Sequence, residues 1–238
     1  MQEMILQFRE LVKRSERIVF FGGAGVSTES GIPDFRSQDG LYNQKYPYPP
    51  EKILSHTFFM QNPEMFYTFY REKMIYPQAE PNMAHKRLAQ WEKEGKVCTV
   101  VMQNIDGLHQ KAGSRDVLEL HGSVLRNYCM RCGKFYTPEE ILRMPKVPRC
   151  SCGGIIKPDV VLYEESLDQE VLAKSIESIS NADLLIVGGT SLNVYPAAGL
   201  IDFFRGDALV VINKGKMARN FSKGLYFDAK IGEVMSQV

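Results

Sequence analysis

Five short runs constrain this chain more than any other feature: Arg17 to Phe21 (RIVFF), Val97 to Met102 (VCTVVM), Val117 to Leu120 (VLEL), Ala182 to Val187 (ADLLIV) and Ala208 to Ile212 (ALVVI). All are mostly apolar and rich in β-branched residues. Strands apolar on both faces belong in a parallel sheet covered on both sides. Helical patterns precede three of them, at Met83 to Lys93, Asp168 to Ser178 and Pro196 to Phe204. This alternation predicts a doubly wound α/β fold, with its ligand site beyond the carboxyl ends of the strands. A chain of 238 residues holds one such domain with a modest appendage rather than two equal domains.

Two segments break the alternation. Asp39 to Gln78 is rich in Tyr, Pro and Phe and includes a predicted helix from Pro63 to Lys73, with Asn62 as its cap and Pro63 at the first helical position. Tyr128 to Lys157 carries four of the five cysteines and a short helix opened by Thr137-Pro138-Glu139-Glu140. There the threonine caps and Glu140 answers from three positions on. Residues 1–38, 79–127 and 158–238 are therefore read as a Rossmann-like domain, and 39–78 with 128–157 as a smaller inserted lobe, part helical and part zinc ribbon. The fifth cysteine, Cys98, lies inside VCTVVM and is expected in the core.

Charge and hydropathy narrow the function classes. The formal net charge is +1 with no long basic tract, so nucleic acid is not expected as the main partner. Met4, Ile5, Phe8, Leu11 and Val12 space out one face of a helix with charges between them, unlike a signal peptide. No apolar run approaches the ~20 residues that cross a bilayer. The expectation is a cytoplasmic, monomeric protein without a membrane partner.

Gly22, Gly23 and Gly25 follow the first strand. A dehydrogenase fingerprint would place a third glycine where Thr28 stands and an acidic residue at the end of a second strand. Both are missing. What remains is a sharp turn able to bring backbone N–H groups to a pyrophosphate and to start a helix whose N-terminus favours anions. A tight turn with no ligand is the alternative.

Cys129-x-x-Cys132 and Cys150-Ser151-Cys152 are 17 residues apart, close to the spacing of a structural four-cysteine zinc ribbon. Gly153 and Gly154 offer the bend that would bring the tight second pair onto one ion, and Arg131, Lys134 and Arg149 could offset its charge. A reduced, metal-free cluster is the alternative.

Gly23-Ala24-Gly25-Val26-Ser27 and Ser30-Gly31-Ile32-Pro33-Asp34-Phe35-Arg36 resemble the opening signature of the sirtuins, the NAD-dependent protein lysine deacylases. Four further stretches match in order: Gln103-Asn104-Ile105-Asp106 with Leu108-His109, His121-Gly122, the cysteines, and Gly189-Thr190-Ser191-Leu192 with Pro196-Ala197. The resemblance implies cleavage of the bond between nicotinamide and ribose. The acyl-lysine amide oxygen attacks ribose C1′ of NAD, giving free lysine and O-acetyl-ADP-ribose, so no protein nucleophile is needed.

It further implies a role for each matching residue. His121 is the base, at a strand end and with an imidazole that titrates near neutrality. Asn104 orders the ribose and its water, Ile105 and Asp106 hold the carboxamide, and Gln103 belongs to the same stretch. Gly23, Ala24, Gly25, Thr28, Asp34 and Arg36 line the cofactor, and Phe35 shields the reacting ribose. Thr190, Ser191, Asn213 and Asp228 take the phosphate, ribose and adenine parts. A substrate peptide would lie as a strand between Val160, Val161, Leu162, Tyr163 and Asn193, Val194, Tyr195.

Some positions depart from the family pattern. Cys150-Ser151-Cys152 is one residue tighter than usual, Gly22 stands for threonine, and Glu164 for the glycine before Glu165. Relatives that prefer succinyl groups use a tyrosine and an arginine three positions on. Here Tyr67 is followed by Tyr70, with Arg71 one step late, which predicts a preference for uncharged acyl groups. A sirtuin-like mono-ADP-ribosyltransferase using the same pocket is the alternative activity.

Overall fold

Alternate side chains of β1 (Arg17–Gly22) go to opposite faces of a sheet: Ile18 and Phe20 enter one apolar cluster, Val19 and Phe21 another. The computed structural model describes residues 1–238 except Gln38, Lys216, Asn220 and Ser222. It contains a six-stranded parallel sheet in the order β3 (Val117–Glu119), β2 (Val97–Met102), β1, β7 (Leu184–Gly188), β8 (Ala208–Ile212), β9 (Leu225–Phe227). The five expected runs form its first five strands, and Cys98 is buried in β2. The short β9 was not among the expectations.

One face is covered by α1 (Gln2–Arg14), α5 (Met83–Lys93) and α9 (Ile231–Met235), the other by α8 (Gln169–Ser180) and a 3-10 helix over Ala197–Phe203. Phe8 of α1 meets Trp91 edge-on at 6.4 Å and Phe227 at 6.0 Å, joining three elements. Truncating such a side chain costs about 3–5 kcal/mol. Asp168 caps α8 by accepting from Glu170 N and Val171 N. The stretch from Pro196 is a 3-10 rather than an α-helix, so that expectation holds for position and not for type.

The smaller lobe packs α2 (Pro50–Ile53), α3 (His56–Gln61), α4 (Pro63–Lys73) and α7 (Pro138–Arg143) around Phe58, Phe59, Phe66, Tyr67, Phe69 and Tyr70. The capping box of Thr137 and Glu140 forms as expected, whereas Asn62 precedes α4 without a side-chain cap bond. A three-stranded antiparallel sheet, β5 (Phe135–Tyr136), β4 (Gly122–Cys129), β6 (Ile156–Val160), completes the lobe. Strands β4 and β6 run through positions 128 and 157, so this sheet reaches directly into the large lobe. The remaining helix, α6 (Leu108–Ala112), follows β2. Among the described residues no helix is long and apolar enough to cross a membrane.

Candidate active site

Strand order reverses between β1 and β7, so the loops beyond Gly22 and Gly188 open a crevice there. The glycines serve that crevice differently from the expectation. Gly23 N donates to Gly188 O at 3.2 Å and Gly25 N to Gly189 O at 2.8 Å, so these two N–H groups are spent within the protein. Two short 3-10 turns, Ala24–Val26 and Thr28–Ser30, replace the expected helix. The glycines are required for close approach: a Cβ on Gly25 would lie 2.9 Å from Gly189 Cα, and one on Gly189, at φ +56°, 2.3 Å from Val26 N.

The turn delivers Ser27 into a polar cluster at the end of β2. Its hydroxyl donates to Asp106 Oδ2 at 2.6 Å and accepts from Asn104 Nδ2 at 2.9 Å, while Leu108 N donates to Asp106 Oδ1 at 2.9 Å. Ser27 is buried and was not assigned a role from the sequence, although it lies in the quoted motif. Its place at the end of that motif was the signal available. Gln103 Nε2 donates to Gly22 O at 3.2 Å and reaches Thr190 Oγ1 at 3.4 Å, bridging the ends of β1, β2 and β7. Ile105 packs against the small-lobe core.

His121 stands between β3 and β4. Its Nδ1 bonds to the Gln103 carbonyl at 2.8 Å. A carbonyl only accepts, so Nδ1 carries the proton and Nε2 is left as the acceptor. Burial lowers the pKa, opposed by the Gln103 bond, which keeps the ring neutral near pH 7. Val161 N donates to His121 O at 3.0 Å, and a Cβ at Gly122, φ +72°, would lie 2.0 Å from Asp159 O. The turn that sets His121 thus requires glycine after it.

Asp34 accepts from Arg36 N at 3.1 Å and Ser37 N at 2.8 Å, folding the segment that carries Phe35 and Arg36. Phe35 packs on the small-lobe core, so the segment joins the crevice to that lobe. Thr28 donates to Gly25 O. On the far side, Thr190 and Asn213 are buried at the ends of β7 and β8, and Asp228 Oδ1 accepts from Gly215 N at 3.0 Å. Ser191 O accepts from Ala218 N at 2.9 Å. Of the two expected peptide-lining segments, Val160 ends β6 and Tyr163 bridges to Ser55, whereas Asn193, Val194 and Tyr195 form no strand. An added strand would have ladder geometry ready on one side only.

The four cysteines converge. Cys129 Sγ lies 3.4 Å from Cys152 Sγ, Cys132 Sγ 3.6 Å from Cys150 Sγ and 3.5 Å from Cys152 Sγ, and all four sulfurs fall within 4.8 Å. Sulfurs about 2.3 Å from a tetrahedral zinc are about 3.8 Å apart, so this donor set fits the ion and leaves no open coordination position. The tight pair works as expected through its glycines: Gly153 turns at φ +82°, and a Cβ on Gly154 would lie 2.7 Å from Cys129 Sγ. The expected charge offset is mostly not local to sulfur. Arg131 and Arg149 side chains donate to the carbonyls of Cys152 and Gly153, and Lys134 lies over the Tyr136 ring, while Arg131 N donates to Cys129 Sγ.

A family model described as Sir2 family matches residues 23–196. The chain belongs to the Sir2 family. A protein of Clostridium perfringens named NAD-dependent protein deacetylase is 55% identical over 242 residues, covering 100% of this chain and 99% of the relative. One of the same name from Clostridium acetobutylicum is 55% identical, covering 99% and 98%. A solved structure of Sir2 with a p53 peptide and NAD+ has a TM-score of 0.85 at 41% identity and covers 97% of this chain and 95% of that one.

Within this Sir2 chain the departure at Glu164 has a local explanation. Its φ is +77°, a conformation natural to glycine, and its carboxylate accepts from Thr57 N at 2.8 Å, which offsets the strain at the start of α3. Tyr67 and Tyr70 are both core residues, and the Arg71 guanidinium donates to Met144 O at 2.8 Å and toward Ile141 O at 3.4 Å.

Proposed function

We propose that this chain is an NAD-dependent protein lysine deacetylase that frees acetylated lysine in peptides and proteins. One observation carries the reading: His121, held in the Nδ1–H tautomer by Gln103 O, faces the end of the strand that also bears the Ser27–Asn104–Asp106 cluster. NAD supplies a nicotinamide–ribose bond whose breaking leaves a cation-like carbon open to the amide oxygen of the acyl-lysine. His121 Nε2 takes the proton of a ribose hydroxyl, the role suited to a neutral imidazole. Asn104 and Asp106 offer donor and acceptor to ribose and carboxamide, with Ser27 fixing both. Phe35, packed like Ile105 on the small-lobe core, excludes water from the reacting carbon. Gln103, Thr190, Ser191, Asn213 and Asp228 hold the rest of the dinucleotide along the strand ends.

The peptide pairs with Val160 to Tyr163. The N–H groups of Val161, Leu162 and Tyr163 are already bonded to His121 O, Glu165 Oε2 and Leu54 O, so an incoming strand would donate to the carbonyls, foremost that of Val161. Backbone pairing of this kind tolerates varied sequences around the lysine. Zinc, held by Cys129, Cys132, Cys150 and Cys152, supports the lobe and takes no part in the chemistry. None of the cysteines is in a disulfide, which suits a reducing cytoplasm.

The test is incubation with an acetyl-lysine peptide and NAD. Stoichiometric nicotinamide, deacetylated peptide and O-acetyl-ADP-ribose are expected, and His121→Ala abolishes them. A peptide that instead gains the mass of ADP-ribose would identify a transferase.

A further inference from the structure

Two tyrosine hydroxyls join the segments proposed to hold the two substrates. Tyr42 Oη and Tyr163 Oη lie 2.6 Å apart, one donating to the other. Tyr42 belongs to the cofactor side. It sits in a 3-10 turn over Leu41–Asn43, its N donates to Phe35 O at 2.9 Å, and Leu41 N donates to Asp34 O at 2.9 Å. Its ring packs on Phe35 with centroids 5.4 Å apart and lies 5.2 Å from the Arg36 guanidinium carbon. The position of Phe35 and Arg36 is therefore tied to that of Tyr42.

Tyr163 belongs to the peptide side, as the last residue of the Val160 to Tyr163 segment. Its backbone is fully engaged: Tyr163 N donates to Leu54 O at 3.0 Å and Tyr163 O accepts from His56 N at 3.0 Å. Glu164 and Glu165 extend the anchorage, through Thr57 N at 2.8 Å and His56 Nδ1 at 2.8 Å. The backbone of this segment is thus set by the small lobe, and its side-chain hydroxyl reaches the cofactor segment. Burial and the Tyr163 bond both push the Tyr42 phenol up, so it stays protonated and able to donate.

We propose that the Tyr42–Tyr163 hydroxyl pair couples dinucleotide binding to peptide binding, each substrate fixing one hydroxyl of the pair. The proposal rests on the deacetylase reading above, which assigns the two segments to two substrates. Dinucleotide against Phe35 and Arg36 holds Tyr42 in place, and a peptide strand along Val161 holds Tyr163 in place. The second substrate then meets a hydroxyl already held by the first. Coupling between binding sites is reciprocal, so one factor must describe both directions. One half-buried neutral hydrogen bond supports a factor of about 3 to 10. Both tyrosines are positioning residues; neither hydroxyl is assigned to the chemistry.

Calorimetry with carba-NAD, an unreactive analogue, and an acetyl-lysine peptide tests this. Each ligand is titrated alone and with the other saturating, for the wild type, Tyr42→Phe, Tyr163→Phe and the double variant. Phenylalanine keeps both rings, so packing on Phe35 and Arg36 survives. In the wild type each ligand is expected to tighten the other by the same factor. Either substitution should cut that factor about 3- to 10-fold, and the double variant should lose no more than a single one. Unchanged coupling in the single variants, or losses that add in the double, overturns the proposal. A wild type that binds both ligands with no mutual tightening also overturns it and leaves the deacetylase reading standing. A wild type that binds neither ligand overturns both.

Discussion

The two lobes solve the same packing problem with different means. In the large lobe, central strands of five or six residues pair along their whole length and bury both faces under helices, so backbone bonds and apolar area suffice. In the small lobe, β5 has two residues, the β4–β6 register shifts between Ser123 and Asn127, and the core is a knot of aromatic rings beside four sulfurs. A sheet with so short an edge strand relies on its packing against the helices and on the cysteine cluster. The difference teaches that the large lobe is organised by its strands and the small lobe by aromatic packing and a four-cysteine cluster fit to hold zinc. Arg126 connects the two solutions, donating to Asp159 Oδ2 of β6 at 2.7 Å and to Glu119 Oε2 of β3 at 2.8 Å.

Metal removal should break the comparison most sharply. Zinc binding to four thiolates contributes on the order of 10 kcal/mol to the state that binds it. A strong chelator, or Cys150→Ser, should unfold the β4–β5–β6 sheet and cut deacetylation by more than about 100-fold. The single tryptophan, Trp91, is buried in α5, so its fluorescence reports the large lobe alone. Amide exchange should accelerate over 122–160 while Trp91 emission stays native; loss of both together would show the lobes to be one unit.

His121→Ala should have the next largest effect, about 100- to 10,000-fold on kcat/KM for the loss of a general base, with zinc content and Trp91 emission unchanged. Retained turnover in this variant would remove the base from the mechanism.

Acidification should strike the core of the large lobe before the contact between the lobes. Burial pushes His85 down to about 4 and His109 well below the usual histidine range. Well above pH 6.5 both are neutral folded and unfolded, so they contribute no pH dependence there. Below it the unfolded chain binds protons that the fold refuses, and stability falls; for His85 the loss reaches about 3 kcal/mol by pH 4. Where the lobes meet, Glu165 is held below the usual range by His56, Leu162 N and Lys157 against its burial, and that stability is lost only as pH falls below about 4.5. Urea unfolding followed by Trp91 should weaken between pH 6.5 and 5; a flat profile there would contradict the buried neutral pair.

The smallest expected effect concerns the acyl group. With Arg71 committed to the carbonyls of Met144 and Ile141, a succinyl carboxylate finds no partner from it, and succinyl-lysine should turn over about 10-fold more slowly than acetyl-lysine. Faster succinyl turnover would overturn this.

Much of the large lobe was legible because its strands are buried on both faces, so burial wrote itself into RIVFF, VCTVVM and ADLLIV. Strand β9 was not, since Leu225–Phe227 is too short to show a period. The small sheet was hidden because β4 mixes Arg126 and Asn127 with apolar residues and β6 contains Pro158. Ser27 escaped because a lone serine in a turn has an ordinary structural use. Its bonds to Asn104 and Asp106 cross about eighty positions of chain.

By itself the sequence determined the central strands of the large sheet, the cysteine spacing and the order of motifs, all properties written in local pattern and spacing. Only the tertiary structure decided that Gly23 and Gly25 spend their N–H groups on Gly188 and Gly189, which proton His121 keeps, and that Tyr42 meets Tyr163. These are contacts between distant segments, and a hydrogen bond depends on where two atoms arrive, which no spacing along one chain records.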